Sequence, residues 1–338
     1  MTASTAFGPV ADWTRREVEI GRLPVAVIGL VDTDGVVDIA AFGTDPVSGR
    51  TAHVDDRFAL YSITKPLVAL TAMRAVERGL LTIDTRLKDA VPAFGHAGVS
   101  LQHLLSHTSG IADAQLEDGG RVRSHGNATT LREALERAPI EFIPGTARRY
   151  ANLSWEGVAA LIEHATGTPF EAEFAAMAAT VGAEHLSFDH DDVHTVHGFE
   201  RYGHNPAGLP GLRHPAAGAA ATVGDLLAVG RSLLADDGAI VSPLTRAAMV
   251  QSRTAGLYVI DANPVKHFEQ FGLGFLLPRG PGLLDHSVYG HSGWTNTQLW
   301  LSPASGRAVV LLTNRLDASE PDVGMTVDAL LNAAFLGR

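Results

Sequence analysis

The stretch Leu23–Val31 is apolar throughout and stops at Asp32-Thr33-Asp34-Gly35, after which Val36–Phe42 is again mostly apolar. A run of that length closed by Asp-Gly reads as a buried strand, a hairpin turn and a return strand. The polar-rich Asp12–Gly21 before it reads as a short helix. Further on, Leu67, Val68, Ala69, Leu70, Ala72, Met73, Ala75 and Val76 leave no polar side on a helix running from about Ser62 to Arg78, with Gly79 as its stop. Such a helix belongs in the interior. Pro66 falls in its first turn, where the missing N–H costs little.

Between residues 80 and 225 the pattern is helical. Leu101–Ser106, Thr130–Arg137, Ser154–Thr166 and Pro169–Val181 are set apart by the breakers Pro144-Gly145 and Gly167. Gly182–Gly218 has no period and is rich in His, Gly and Pro, and Thr222–Ala235 returns to helix. The last third changes period: Gly272–Pro278, Val288–Gly293, Thr297–Ser302 and Ala308–Thr313 read as four short strands, and Asp322–Leu336 as a closing helix. Strands at both ends with helices between them predict an α/β unit built from residues 1–79 and 225–338, a helical insertion over 80–224, and an active site at their interface.

A chain of 338 residues has ample length for a core. Its formal charge of −11 offers no basic field for phosphates, which argues against nucleic acid as a partner. With no cysteine, disulfides, thiolate nucleophiles and Cys-based zinc sites are excluded. Arg15-Arg16 ahead of Leu23–Val31 imitates an export signal, but Glu17, Glu19 and Arg22 intervene and no small-residue cleavage site follows. No stretch approaches the ~20 apolar residues of a membrane span. The expectation is a cytoplasmic protein without a membrane partner. Oligomeric state leaves no signal in the sequence.

Candidate chemistry begins at Ser62-Ile63-Thr64-Lys65. With three lysines and seventeen serines in the chain, chance supplies about 0.15 Ser-x-x-Lys matches. Positions i and i+3 share a helix face, so the ammonium can lie beside the hydroxyl. A serine at a helix N-terminus also gains the positive end of the dipole and N–H groups for an oxyanion. The plainer reading, a serine cap beside a solvated lysine, sits badly in so apolar a helix. Tyr150-Ala151-Asn152 is the second element. A phenol is a poor base, with a pKa of about 10, but a neighbouring lysine ammonium brings the phenolate within reach. Asn152 could turn its amide to a substrate carbonyl or to Lys65. Taken alone, Tyr150 is more simply a loop tyrosine packed on the core. Gly290-His291-Ser292-Gly293-Trp294 is the third. Glycine on a strand marks close approach of a ligand or backbone, and the Trp294 N–H could be a second oxyanion donor. Taken alone it is an ordinary strand and turn.

Together these three elements, in this order and spacing, resemble the serine β-lactamase and penicillin-recognising (SxxK) family. The resemblance is to its class C-like branch of class C β-lactamases, D,D-peptidases, D-aminopeptidases, family VIII carboxylesterases and some acyltransferases. Leu104-Leu105-Ser106-His107-Thr108-Ser109-Gly110, Pro144-Gly145-Thr146, Ala217-Gly218 and Thr222-Val223-Gly224-Asp225-Leu226 extend it over about residues 10 to 335. It implies a three-layer α/β/α unit with an antiparallel sheet. It also implies Ser62 as acylated nucleophile, Lys65 as its proton partner and Tyr150 as general base and leaving-group acid. Asn152 would hold the acyl side chain and Lys65, while the N–H groups of Ser62 and Trp294 would form the oxyanion hole beside His291, Ser292 and Gly293. The reaction is acyl transfer through an ester on Ser62, from a small-molecule acyl donor to water or a second small-molecule acceptor, with no cofactor and no metal.

His291 departs from the lysine typical of class C β-lactamases. A mostly neutral imidazole does less to hold a substrate carboxylate or to keep Tyr150 deprotonated. This favours a serine hydrolase or acyltransferase on small esters, amides or thioesters, foremost an esterase. The alternatives are a D,D-peptidase, D-aminopeptidase or β-lactamase, and a relative that only binds. His185, His190, His194, His197 and His204 among Asp189, Asp191 and Asp192 fit no helical zinc spacing and read as a solvated loop near the cleft mouth. His107 reads as structural support, and Arg148 and Arg149 as solvated or as a carboxylate clamp.

Overall fold

The structure, a computed structural model, describes residues 6–117, 121–124, 127–199, 213–261, 268–280 and 282–337. The chain opens with α1 (Gly8–Glu19) and the hairpin β1 (Val25–Asp32) and β2 (Val36–Gly43). The Asp32 carboxylate closes the turn by accepting from the N–H groups of Asp34 and Gly35 at 2.9 and 3.1 Å. After β3 (Phe58–Ala59), a 3-10 turn over Tyr61–Ile63 leads into α2 (Thr64–Glu77). The helix expected from Ser62 thus starts two residues later, because Tyr61 takes a positive φ of 47° and Ile63 N–H bonds Leu60 O.

The middle holds α3 (Leu87–Ala90), α4 (Leu101–Leu105), a three-stranded meander of β4 (Gln115–Glu117), β5 (Arg121–Ser124) and β6 (Asn127–Thr129), and α5 (Leu131–Arg137). Then come β7 (Ala147–Arg148), α6 (Ser154–Thr166), α7 (Phe170–Ala179), β8 (Ala220–Ala221), α8 (Val223–Ala235), α9 (Pro243–Met249) and β9 (Tyr258–Val259). The meander was not anticipated from the helical pattern of this region. Nor was α9, a short helix started by the Ser242 side chain accepting from Thr245 N–H.

The end of the chain supplies β10 (Glu269–Phe271), β11 (Leu276–Pro278), β12 (Tyr289–Ser292), β13 (Gln298–Ser302), β14 (Arg307–Thr313) and α10 (Val327–Phe335). The strand expected over Gly272–Pro278 is a tight turn followed by β11. Gly272 N–H bonds Phe275 O, and Gly274 has a φ of 88° that a side chain would oppose. The closing helix begins at Val327 rather than Asp322, since Glu320, Gly324 and Met325 N–H are used in turns back to residues 317–320.

The sheet is seven-stranded and antiparallel, in the order β10-β11-β12-β13-β14-β1-β2. The N-terminal hairpin docks on the C-terminal meander through β1 and β14, from Ala26↔Thr313 to Asp32↔Arg307. Strands covered on both faces explain the unbroken apolar run. Val25, Val27 and Val31 join the core beneath α8, whereas Ala26, Ile28 and Leu30 join the core beneath α1 and α10. Three layers follow, as expected. Gly29 lets α8 approach: a Cβ there would lie 2.6 Å from Val223 and 2.7 Å from Leu227. Gly29→Val is therefore expected to cost about 1–3 kcal/mol by overpacking, read as a lower urea midpoint at unchanged slope.

Helix α2 packs on α6 and α7 and reaches β12 at its N-terminal end. That places Ser62 where the helices meet the sheet. No helix among the described residues is long and apolar enough to cross a membrane.

Candidate active site

Ser62 sits in the 3-10 turn that opens α2, and Lys65 lies one turn on, fully buried in the apolar surround anticipated for it. The Lys65 ammonium donates to three acceptors: Ser62 Oγ at 3.0 Å, Asn152 Oδ1 at 2.9 Å and Ala216 O at 3.0 Å. Three N–H groups with three acceptors satisfy a buried ammonium. His214 helps shape the third arm, since its Nδ1 accepts from Ala216 N–H at 3.0 Å. Burial, then the nearby Lys65 charge, push the His214 imidazole down to about 3, so it stays neutral and able to accept.

Tyr150 approaches Ser62 from the opposite side, its hydroxyl donating to Ser62 Oγ at 2.8 Å. The His107 ring stacks on it at 4.4 Å, while His107 Nδ1 accepts from Ala151 N–H at 3.2 Å. His107 itself has a φ of 59°, and its carbonyl accepts from Arg149 N–H. The expected structural support from this segment is thus a direct brace on Tyr150. Lys65 Nζ lies over the Tyr150 ring, 4.7 Å from its centroid.

The surroundings of that ring correct the expectation of a lysine-stabilised phenolate. The phenol is pushed above its ordinary value, first by burial and to a lesser degree by the charges of Glu269 and Asp113; together these outweigh the opposing Ser62 hydrogen bond. The surroundings thus favour the protonated phenol, which can donate to Ser62 Oγ.

Strand β12 brings His291, Ser292 and the following Gly293 and Trp294 to the same place. His291 is buried, and its Nδ1 donates to Ser292 O at 2.8 Å, which fixes the proton on that nitrogen. Gly293 is pressed against the segment before the serine. A Cβ there would lie 2.3 Å from Leu60 O and 2.1 Å from Thr297 Oγ1, and Thr297 Oγ1 donates to Leu60 O at 3.1 Å. Close backbone approach is the reason for glycine here. Trp294 then meets the Tyr61 ring edge-on at 5.9 Å. Ser62 N–H belongs to the first N–H groups of the helical run, which have no carbonyl one turn back.

These groups surround a cavity of about 280 Å³. Ser62, Tyr150, Asn152, His291, Ser292, Gly293 and Trp294 all line it, and Lys65 lies beneath. The eight residues singled out from sequence are therefore in one place. The lining residues not anticipated are Tyr61, Leu276 and, on edge strand β10, Glu269 and Phe271. Asp113 was missed as well: its carboxylate accepts from Asn152 Nδ2 at 3.2 Å and from Leu153 N–H at 2.8 Å. Its only sequence signal is its position just after the Ser106–Gly110 segment.

The arginines before Tyr150 form no clamp. Arg148 is buried with its guanidinium 5.2 Å from the Phe271 ring, and Arg149 pairs with Glu141. The histidine-rich loop is solvated in part: His185, Asp189, Asp191 and Asp192 are exposed, whereas His190 Nε2 meets Gly218 O, His194 meets Asp56 and His197 meets Asp45, each within 2.8 Å. His204 lies outside the described residues. Among the described residues no group of three or more His, Asp or Glu is placed to hold a metal ion.

A family model described as Beta-lactamase matches residues 10–333. The chain belongs to the beta-lactamase family. Among curated members, Esterase EstB of Burkholderia gladioli is 34% identical over 153 residues, covering 40% of this chain and 39% of its own length. Penicillin-binding protein 4 of Amycolatopsis lactamdurans is 30% identical over 132 residues, covering 37% of this chain and 34% of its own. The chain thus spans well under half the length of either relative. Of the solved structures, EstCE1, described as a hydrolase with promiscuous acyltransferase activity, aligns with a TM-score of 0.79 at 20% identity over 98% of each chain. That likeness is one of fold: beta-lactamase-family architecture extends over nearly the whole chain.

Proposed function

We propose that this protein is a serine hydrolase or acyltransferase that works through an ester on Ser62, with small neutral acyl esters as donors. The observation that carries this reading is Ser62 Oγ held between Lys65 Nζ and the Tyr150 hydroxyl at the floor of a small cavity. The reacting form is the fraction in which Tyr150 has released its own proton to solvent. In the first step Ser62 Oγ attacks the acyl carbon and its proton passes to that phenolate. The N–H groups of Ser62 and Trp294 receive the developing oxyanion. Tyr150 then hands the proton to the departing alkoxide. In the second step water, or an alcohol acceptor, attacks the Ser62 ester and gives its proton back through the same route. Lys65 holds Ser62 and offsets the negative charge; no metal or cofactor takes part in this scheme.

The cavity's charge supports esters over carboxylate-bearing donors. Among the described residues that line it there is no lysine or arginine, and Glu269 contributes a carboxylate; the Arg148 charge facing Glu269 and Lys65 beneath Ser62 lie outside the lining. A penicillin or a peptide C-terminus would bring its own negative charge to that wall. The peptidase or β-lactamase reading keeps its support in the penicillin-binding relative and stays as the alternative. A purely binding role is disfavoured by the Ser62, Lys65 and Tyr150 contacts. Cytoplasmic residence belongs to the same proposal: Arg15 and Arg16 lie on α1, and Val25–Asp32 forms an inner strand of the sheet.

Intact-protein mass spectrometry tests this directly. Mixing with a short-chain p-nitrophenyl ester should yield an acyl adduct that maps to Ser62, with little adduct from a penicillin. Rapid penicillin turnover, or a persistent penicilloyl adduct without ester acylation, would overturn the ester assignment.

A further inference from the structure

A side-chain amide has one oxygen and one nitrogen, so the face it turns to Lys65 is a choice. Asn152 turns its oxygen, 2.9 Å from the ammonium. The reverse orientation would aim N–H donors at a cation. Something must hold the nitrogen side, and there the structure puts a carboxylate. Asp113 Oδ2 accepts from Asn152 Nδ2 at 3.2 Å, and its Oδ1 accepts from Leu153 N–H at 2.8 Å and from Ala114 N–H at 3.1 Å. The two backbone bonds anchor the carboxylate just ahead of α6, leaving one oxygen for the amide. Each partner is complementary along the line Asp113, Asn152, Lys65, Ser62: acceptor to donor, then acceptor to donor again.

We propose that Asp113 is a positioning residue: it fixes the orientation of the Asn152 amide and, through it, the seat of Lys65 Nζ on Ser62. Asp113 touches neither Ser62 nor the cavity floor; apart from the lesser effect of its charge on Tyr150, it acts through Asn152. The consequence for catalysis rests on the acyl-Ser62 reading above; the orientation of the amide does not.

Asparagine at 113 is the informative change. Its oxygen can still take the Leu153 N–H, but its NH2 then faces Asn152, which must turn its own oxygen away from Lys65. Asp113→Asn should lower kcat for a p-nitrophenyl ester about tenfold, the order of one lost hydrogen bond, with KM within about twofold of wild type. The lost Asp113 charge acts the other way, favouring the Tyr150 phenolate. The comparison is therefore made across the pH profile, where a charge effect moves the limb and a lost seat for Lys65 lowers it throughout. Adding Asn152→Asp restores complementarity, because the new carboxylate accepts both from the amide introduced at position 113 and from Lys65. The double variant should exceed both single variants in kcat. A merely structural anchor for α6 would show no such rescue, since the Leu153 bond is the same in the single and the double variant. In 15N-labelled protein the Asn152 side-chain amide resonances should move on Asp113→Asn, whether or not any ester turns over. Unmoved resonances, or wild-type kcat in Asp113→Asn, would overturn the positioning role, as would a double variant no better than either single. Absence of a Ser62 adduct in the wild type would instead overturn the functional reading, leaving the amide resonances to decide the positioning.

Discussion

Alanine at Lys65 is expected to lower kcat/KM for ester turnover by about 10²–10⁴, the range for loss of a positioned proton-transfer partner, while the protein stays folded. The ammonium is the hub of the site. Its three hydrogen bonds join the nucleophile, the Asn152 amide and the Ala216 carbonyl, which come from three separate parts of the chain. Removing it withdraws positive charge from beneath the oxygen that must become nucleophilic, and leaves two buried acceptors without their donor. Arginine should not restore the rate, because a planar fork cannot reproduce three bonds diverging from one nitrogen. Ser62→Ala is expected to cost more, about 10⁶ if the serine and its partners act as a unit, and the Ser62→Ala/Lys65→Ala pair should be no worse than Ser62→Ala alone. Steady-state kinetics beside near-ultraviolet circular dichroism decides the matter. A natively folded Lys65→Ala protein with near-normal rates removes lysine from the mechanism.

How much of this was readable beforehand depends on whether a feature is local or assembled by the fold. The Ser62–Lys65 pair is local, because helical spacing alone puts i and i+3 on one face. Strand β1 and the interior character of α2 follow from unbroken apolar runs, since a run buried on both faces carries no polar alternation. Bringing Tyr150 and His291 to the same cavity required the resemblance to known sequences, for nothing local to either residue points to Ser62. What escaped was short or compensated. Strands β4 to β6 are three or four residues each, too brief for a period to register. The turn at Gly272–Phe275 hides inside an apolar segment that reads as one strand. Glu269 sits on an edge strand whose neighbour β11 is only three residues long. Asp113 has its partners at 114, 152 and 153, so its role emerges only when α6 is docked. The upward push on Tyr150 was unreadable for the same reason: the sequence shows a lysine for it, while the fold adds burial and two carboxylates.

From that push, ester turnover is expected to rise with pH. If phenolate is the working base, its fraction at neutral pH is small, and kcat/KM should increase about tenfold per pH unit on the ascending limb. The sign follows from the raised value: each unit of pH below it removes nine-tenths of the active form. The charged and titratable groups about the ring are Lys65 over its face, His107 stacked on it, His291 with ring centroids 6.3 Å apart, and the carboxylates of Glu269 and Asp113. Of these, Glu269 lines the cavity and can be changed without touching the lysine hydrogen bonds. Glu269→Gln removes a negative charge that disfavours phenolate, so the limb should move to lower pH and the rate at a fixed pH on the limb should rise. Tyr150→Phe should lower kcat/KM by about 10²–10⁴ and abolish the limb together. The two variants cross-check each other. A rising limb that survives in Tyr150→Phe belongs to another group, Lys65 foremost, and the base assignment passes to it. A limb that vanishes with the phenol but ignores Glu269→Gln keeps Tyr150 as base and leaves burial as what holds its proton.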